Sequence, residues 1–497
     1  MPPEICARQA NKRRGEPDEG LPGRETKRSG RRASRREEET AAELPSHQRT
    51  FLKKFVEFSL LESARKLLSL IINPPPPRKG NTFFTPSSEM SSAGVVDCSG
   101  SVRGTGVLTI DGSMGEGGGQ VLRSSLSLSA ILRRPIILNN IRGGREKPGL
   151  QKQHLVCVEA AAALCGAAVE GAALNSTRVV FTPAPAAEDG AADGAARPQH
   201  FDFDIGSAGS STLVLATVLP ILLARGSGGS CRVRGGTHNP LAPPFEFLRD
   251  ILLPVLSRCG AHVDVVLERA GFYPQGGGAV LLNVAPGDAA TFAPLDLVSP
   301  APVTALCGRV ISAGSAALPA PHAAAKALGA AISAIAPGET GARPVAVAHV
   351  DALGAGLALQ VLIERAGALT DVCTECGQMK GDNGKAIRAL MSAVAVEMKS
   401  EAPVGEHLAD QLLLPLALMR GGRYRATTAS LHTTTSADVL GLFLGEGAVS
   451  VEHVVNSAAG GSAADGDGDG DGASRGKKAR LGSDVIISVR DPRAAGL

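Results

Sequence analysis

The chain has 497 residues, 43% of them hydrophobic, with a formal net charge of +3. No apolar run is long enough to cross a bilayer, so a membrane-spanning helix is excluded; the near-neutral charge confines any nucleic-acid binding to a local patch. With no Trp and two Tyr, an aromatic platform for stacking single-stranded nucleic acid is not expected.

The length allows two or more domains. Residues 1–104 read as a disordered basic extension. Arg13, Arg14, Lys27, Arg28, Arg31, Arg32, Arg35 and Arg36 are mixed there with Glu, Ser and Gly, a composition that buries too little apolar surface to order itself. The clusters suit nuclear import, and the frequent Glu and Asp argue against an organellar transit peptide. Residues 51–72 bring Phe55, Leu60, Leu67 and Ile71 onto one helical face, ended by the run from Pro74 to Pro77.

A core begins at residue 105. Residues 107–111 read as a strand leading into a glycine loop, 120–132 as a helix, 136–141 as a strand and 150–164 as a helix. Strand, loop, helix, strand and helix in that order make an α/β unit. About ninety residues on, the layout returns. Gly115 through Arg142-Gly-Gly to Cys165-Gly-Ala is matched by Gly206 through Arg234-Gly-Gly to Cys259-Gly-Ala. Repetition at a fixed period means one supersecondary unit used more than once. The apolar stretch 213–224, broken by Pro220, reads as a buried helix of the second copy. Only the first copy carries Glu116, Gln120, Arg123, Arg142, Arg145, Lys147, Gln153 and His154.

Residues 296–395 are alanine-dense and lack the glycine loop; they read as a smaller inserted α/β domain, with strands at 345–349 and 357–363 and helices at 322–335 and 383–398. The core then resumes over 396–459. A helix is expected at 405–418, a strand at 423–428, and a helix at 436–444 entered through His432-Thr-Thr-Thr. Strands at 449–455 and 484–489 can pair. Between them, 460–482 is a low-complexity insertion, followed by a final strand and tail at 483–497. Its run from Asp465 to Gly470 imitates a calcium loop but has Gly476 where the bidentate carboxylate belongs. Nine scattered cysteines indicate free thiols in a reducing compartment, and Cys373 and Cys376 have no second pair or His to complete a zinc site.

Four segments can carry chemistry. In Gly115-Glu-Gly-Gly-Gly-Gln-Val-Leu-Arg123, successive glycines let backbone N–H groups face one concavity at a helix N-terminus, a setting for phosphate. Glu116 there can hold a divalent cation. In the segment from Arg142 to His154, guanidinium groups on a glycine-broken turn after a strand suit bidentate phosphate recognition. On the helix from residue 405, His407, Asp410 and Gln411 share one face. His432 sits between a strand and a helix, where reactive side chains often lie.

Together with Gly235-Gly-Thr-His-Asn-Pro240 and Gly271-Phe-Tyr-Pro-Gln-Gly-Gly-Gly278, these motifs resemble the RNA 3′-terminal phosphate cyclase family over residues 106–455, in the family's order. The resemblance implies an α/β fold of repeated βαβαββ units, with the smaller domain inserted before the last. It implies ATP and Mg²⁺ or Mn²⁺ as cofactors and an RNA ending in a 3′-phosphate as partner. It implies that His432 is the nucleophile that takes AMP from ATP, that AMP passes to the RNA 3′-phosphate, and that the 2′-hydroxyl then closes a 2′,3′-cyclic phosphate. Glu116 matches the metal-binding residue. Gln120, Arg123, Arg142, Arg145 and Gln153 match the ATP and phosphate site, and Asp410 and Gln411 the active-site helix. Phe181 and Pro240 match a pair that sandwiches adenine, and His407 stands where other members have Tyr. Two other readings share the fold: a noncatalytic factor binding pre-ribosomal RNA, a branch that lacks the nucleophilic histidine, and more distantly an enolpyruvyl transferase. The basic clusters make nucleoplasm the expected location, with cytoplasm still open.

Overall fold

The computed structural model describes residues 106–185, 199–287, 291–314, 320–336, 338, 341–367, 369–454 and 484–492. The basic extension, the helix expected at 51–72 and the Asp-Gly insertion lie outside the described residues.

The first unit runs β1 (Leu108–Asp111), α1 (Gly119–Leu132), β2 (Ile136–Asn139), α2 (Lys152–Cys165), β3 (Ala168–Glu170) and β4 (Val179–Thr182). Its sheet has the order β1-β2-β4-β3, with β1 and β2 parallel and the other pairs antiparallel. The second unit runs β5 (Gln199–Asp204), α3 (Ser211–Ala224) and β6 (Gly229–Gly235). A helical stretch follows, α4 (Phe245–Phe247), a π-turn (Leu248–Leu252) and α5 (Leu253–Arg258), and then β7 (Val263–Arg269) and β8 (Gly278–Val284). Its sheet, β5-β6-β8-β7, repeats the first in order and in strand direction. The duplication legible in the glycine loops is therefore a duplication of whole βαβαββ units.

A third unit has the same topology but is split. Its first strand is β9 (Leu295–Leu297). The chain then leaves through β10 (Val303–Ala313), α6 (Ala320–Ser333), β11 (Ala342–His349), β12 (Gly356–Arg365), β13 (Leu369–Gly377) and α7 (Gly384–Glu397). It returns as α8 (Glu406–Leu418), β14 (Gly422–Ala426), α9 (Leu431–Leu444), β15 (Val449–His453) and β16 (Val485–Val489). Because β9 pairs in parallel with β14, the order is β9-β14-β16-β15. The insertion thus enters the last unit after its first strand rather than preceding it. That strand is three residues long, too short to announce itself by periodicity.

The inserted segment forms its own sheet, β11-β10-β12-β13, over a core that includes Leu306, Leu328, Leu359, Ile363 and Leu390. The seven described cysteines are free; Cys373 and Cys376 lie three apart on β13, where successive side chains alternate faces, so they do not converge.

The helices of the three units pack on one another, with α1 against α2, α3 and α9. This central placement explains why α1 buries serines as well as leucines: Ser124, Ser125, Ser127 and Ser129 are buried with Leu122, Leu126 and Leu128. Small side chains let neighbouring helices approach, and Ser127 Oγ donates to Thr217 O of α3 at 2.8 Å. Pro220 does not break α3; the helix continues through it, buried along nearly its whole length.

A buried polar chain joins the second unit to the insertion. Thr237 Oγ1 lies 2.8 Å from His238 Nδ1, and His238 Nε2 lies 3.0 Å from Glu246 Oε2. Gln360 of β12 donates to the same carboxylate at 3.1 Å. Arg309 of β10 reaches Asp250 at 2.8 Å. Removing one partner of such a buried set leaves the others unsatisfied. Glu246→Ala is expected to destabilise the protein by about 3 kcal/mol, whereas Glu246→Gln, which retains an acceptor, costs clearly less; urea denaturation of the two variants checks this.

Candidate active site

The site gathers at the N-terminus of α1. Its N-cap is Gly118, which has no side chain to offer; the carboxylate of Glu116 accepts from Gln120 N at 3.1 Å instead. An acid over the positive end of a helix is favourable in itself. Arg145 pairs with the same carboxylate through Nη2. A methyl group on Gly118 would lie 2.5 Å from both Arg145 Nη2 and the Glu116 oxygens, and one on Gly119 would lie 2.7 Å from Arg123 Nη1 and His154 Nε2. The glycines are needed because charged side chains close on the backbone from both sides.

Three arginines converge here. Arg123 is encased beside the helix end, its Nη2 donating to Gln120 Oε1 at 2.6 Å, and burial pulls its guanidinium below the usual range. Arg142, at a left-handed φ of 56°, closes its own loop through Nη1, donating to Lys147 O at 2.7 Å and Gly149 O at 2.9 Å. His154 senses all three: burial first, then the charges of Arg123, Arg142 and Arg145, push its imidazole down to about 3. Its Nδ1 accepts from Gln151 N at 3.4 Å, the position of a capping box at the start of α2. Gathered positive charge of this kind favours an anion.

The third unit completes the site. Ser430 caps α9 by accepting from Thr433 N at 3.2 Å, so the helix begins at Leu431. His432 therefore stands inside its first turn, exposed, rather than in a lead-in before residue 436. Thr435 Oγ1 accepts from Glu116 N at 2.9 Å and donates to Leu431 O at 2.6 Å. Ser436 Oγ accepts from Gln120 Nε2 at 3.0 Å. One helical turn thus carries His432 and grips the glycine loop.

On α8, Asp410 accepts from Gln411 Nε2 at 2.9 Å. Burial raises its carboxyl, against the pull of Gln411, His432, His407 and Arg123. Asp410 and Gln411 also line a cavity of about 30 Å³ with Gln120, Arg123, Ala216, Pro220 and Pro415. Pro220 and Pro415 each remove a helical donor from the carbonyl four residues earlier, on Ala216 and Gln411. The space, lined by these polar groups on one side and by apolar side chains on the other, is large enough for water, not for a base.

Of the residues predicted from sequence, Glu116, Gln120, Arg123, Arg142, Arg145, Asp410, Gln411 and His432 fall in this region. Gln153 does another task here: its Oε1 accepts from Ser210 N at 2.8 Å and ties the first unit to the second glycine loop. Phe181 is a correction. It is fully buried in β4 within the main core, so neither ring face is open to a ligand. Pro240 is exposed, and the two do not form a sandwich; alternation in β4 turns Phe181 inward. Among the described residues no group of three or more His, Cys, Asp and Glu converges as a metal site. Glu116 alone fits the usual way Mg²⁺ is held, by one or two carboxylates together with phosphates and water.

Sequence reasoning missed the support of α8. Its N-cap is Gly405, which has no side chain. Two carboxyl groups from the insertion take its place. Glu397 of α7 accepts from Glu406 N and Thr427 Oγ1, both at 3.4 Å. Asp371 of β13 accepts from Gly405 N and from Val372 N at 2.7 Å. Burial raises both acids, Glu397 to about 7, with the Asp371 charge adding to the effect; Arg365 lies 3.8 Å from Glu397. No local motif marks these residues, since they cap a helix that starts nine or more positions away.

The fold and this cleft define a protein of three βαβαββ units with a cationic, helix-end anion site between the first and the last. The profile of the family described as RNA 3′-terminal phosphate cyclase matches residues 114–448, and the chain belongs to that family. The family is ATP-using and acts on RNA. The match spans every side chain named in this subsection.

Two outcomes are expected. Glu397→Gln keeps an acceptor for Glu406 N and should stay close to the native stability at pH 7, while Glu397→Ala should lose about 1–3 kcal/mol in urea titrations. For His154 the folded value lies near 3, below its ordinary 6.5. The unfolded chain therefore binds the extra proton first; this contribution is complete above pH 6.5 and is lost as pH falls towards 3. His154→Gln should flatten the fall in stability across that window, followed as the urea midpoint against pH.

Proposed function

We propose that the protein converts an RNA 3′-phosphate to a 2′,3′-cyclic phosphate at the expense of ATP, through AMP carried on His432. The observation that carries this reading is the meeting of Arg123, Arg142 and Arg145 at the glycine-capped N-terminus of α1, which the turn of α9 that carries an exposed histidine also grips. Fixed guanidinium groups and backbone N–H donors favour a triphosphate, and neutral imidazole is a good nucleophile near neutral pH.

In the first step an imidazole nitrogen of His432 bonds to the α-phosphorus and the bond to pyrophosphate breaks; Asp410, whose carboxyl feels the His432 charge, is suited to take the proton the imidazole loses. In the second, a 3′-phosphate oxygen of the RNA bonds to that phosphorus and the P–N bond returns its electrons to the imidazole. In the third, the 2′-oxygen bonds to the RNA phosphorus, loses its proton, and AMP departs. Arg123 and Arg145 stabilise the charge that builds on the phosphoryl oxygens, for which Arg145 must turn from Glu116 to the ligand. Glu116 would then be free to hold Mg²⁺, which supplies charge neutralisation on the polyphosphate. Arg142 holds the loop through its carbonyl contacts and offers its remaining donors.

The retention of His432 favours this reading over a noncatalytic RNA-binding factor. The basic clusters between Arg13 and Arg36 support a nuclear site of action.

Incubation with α-labelled ATP and magnesium is expected to give a protein adduct stable to alkali and labile to acid, and His432→Ala to abolish both adduct and cyclisation while keeping the fold. A protein that forms no adduct under these conditions is a binding factor, not a cyclase. Arg123→Ala or Arg145→Ala should each lower turnover by about two orders of magnitude, read as cyclic-phosphate formation per unit time.

A further inference from the structure

Three loops run side by side at the edge of the second glycine loop, and each presents an apolar side chain to solvent. His238 bridges to Phe272 and Ala270 to Ala352, and a methyl on Gly277 would meet Leu353 Cδ1 at 2.6 Å. Leu241 is 103% exposed, Tyr273 63% and Leu353 61%. Leu241 also holds a left-handed φ of 61°, a conformation a leucine adopts only where its surroundings impose it.

The patch is rigid. Phe272 beneath it is buried and stacks on His238 at 4.7 Å. Gly276 N donates to Phe272 O at 2.7 Å, and Arg269 Nε to Gly277 O at 2.7 Å. The patch also adjoins the site. Gly276 packs on Ala208, and a methyl on Gly209 would lie 3.1 Å from Gln153 Cβ. Lys152 reaches Gly206 O at 3.0 Å, and Arg145, Lys147 and Lys152 are exposed along the same approach.

We infer that Tyr273, flanked by Leu241 and Leu353, is the subsite on which a base of the RNA strand stacks upstream of the 3′-phosphate; this rests on the proposed function. An exposed aromatic face beside a line of cations is the chemistry that single-stranded RNA uses. Tyr273 is the one tyrosine that can serve, since Tyr424 is wholly buried. Three side chains fall far short of the roughly 800 Å² per partner of a stable protein interface, which argues against a protein occupant. The composition excludes a row of aromatics, not a single one bracketed by leucines.

The test uses the full chain and a dye-labelled RNA of roughly ten nucleotides with a 3′-phosphate. Tyr273→Ala is expected to weaken binding by about tenfold in Kd, with Tyr273→Phe close to wild type. Adduct formation with ATP alone should be unchanged in both, and a dinucleotide 3′-phosphate too short to reach the patch should bind alike to all three proteins. An RNA affinity for Tyr273→Ala equal to wild type overturns the inference and leaves a protein partner as the occupant. An equal loss with the dinucleotide overturns it as well, because the substitution then acts on the site as a whole. A wild-type protein that forms no adduct, yet binds the longer RNA through Tyr273, overturns the proposed catalysis and retains the subsite.

Discussion

The hydroxyl of Thr435 holds the first and last units in register at the one place where their chemistry meets. It takes the amide proton of Glu116 and gives its own to Leu431 O. The glycine loop cannot shift without disturbing the turn that carries His432. Gly115 makes this contact feasible: its φ is 58°, and a methyl group there would overlap the Thr435 side chain. A second tie, Gln120 to Ser436, lies four residues on from Glu116 in the first unit and one residue on from Thr435 in α9. Two hydrogen bonds between buried or half-buried partners thus replace what a covalent link would do.

The contrast between the first two units follows from their helix caps. In the second unit Ser210 caps α3 with its own side chain, accepting from Leu213 N at 3.2 Å, and Ser210 N is in turn taken by Gln153. That helix end is occupied by the protein. In the first unit the N-cap is a glycine, and the acid over it is Glu116, itself held by Arg145. Ligand charge can exchange with Arg145; it has nothing to exchange with at Ser210. Identical topology therefore yields one anion site and one piece of scaffold.

Much of this was legible in the sequence because it is local. Glycine runs before apolar helices, arginines after a strand, and the spacing of Asp410 and Gln411 all act within a few residues of chain. Helices α1, α2, α6, α7 and α8 fall within two residues of the ranges read from periodicity and breakers. Three features were hidden because they are set by distant parts of the chain. Phe181 looks like an aromatic available to a ligand until pairing with β2 and β3 seals it. Strand β9 is recognisable only by its partner β14, more than a hundred residues later. The start of α9 depends on Ser430 acting as a cap, which the strand expected through residue 428 obscured.

The insertion is the remaining problem: nothing in its alanine-rich composition suggests a tie to the site. Its contribution comes from its last strand and last helix, whose ends deliver Asp371 and Glu397 to the first turn of α8. Burying two acids together is costly, and both respond by holding protons more tightly. A glycine cap alone would leave the first amides of α8 without acceptors. The insertion interrupts the third unit immediately before this helix, so the chain has to return there. A capping arrangement at the point of re-entry lets the added segment set the position of Asp410, three residues after His407 on the same helix. On this view the insertion is a mount for α8, and its place within the third unit, not ahead of it, is what makes that possible.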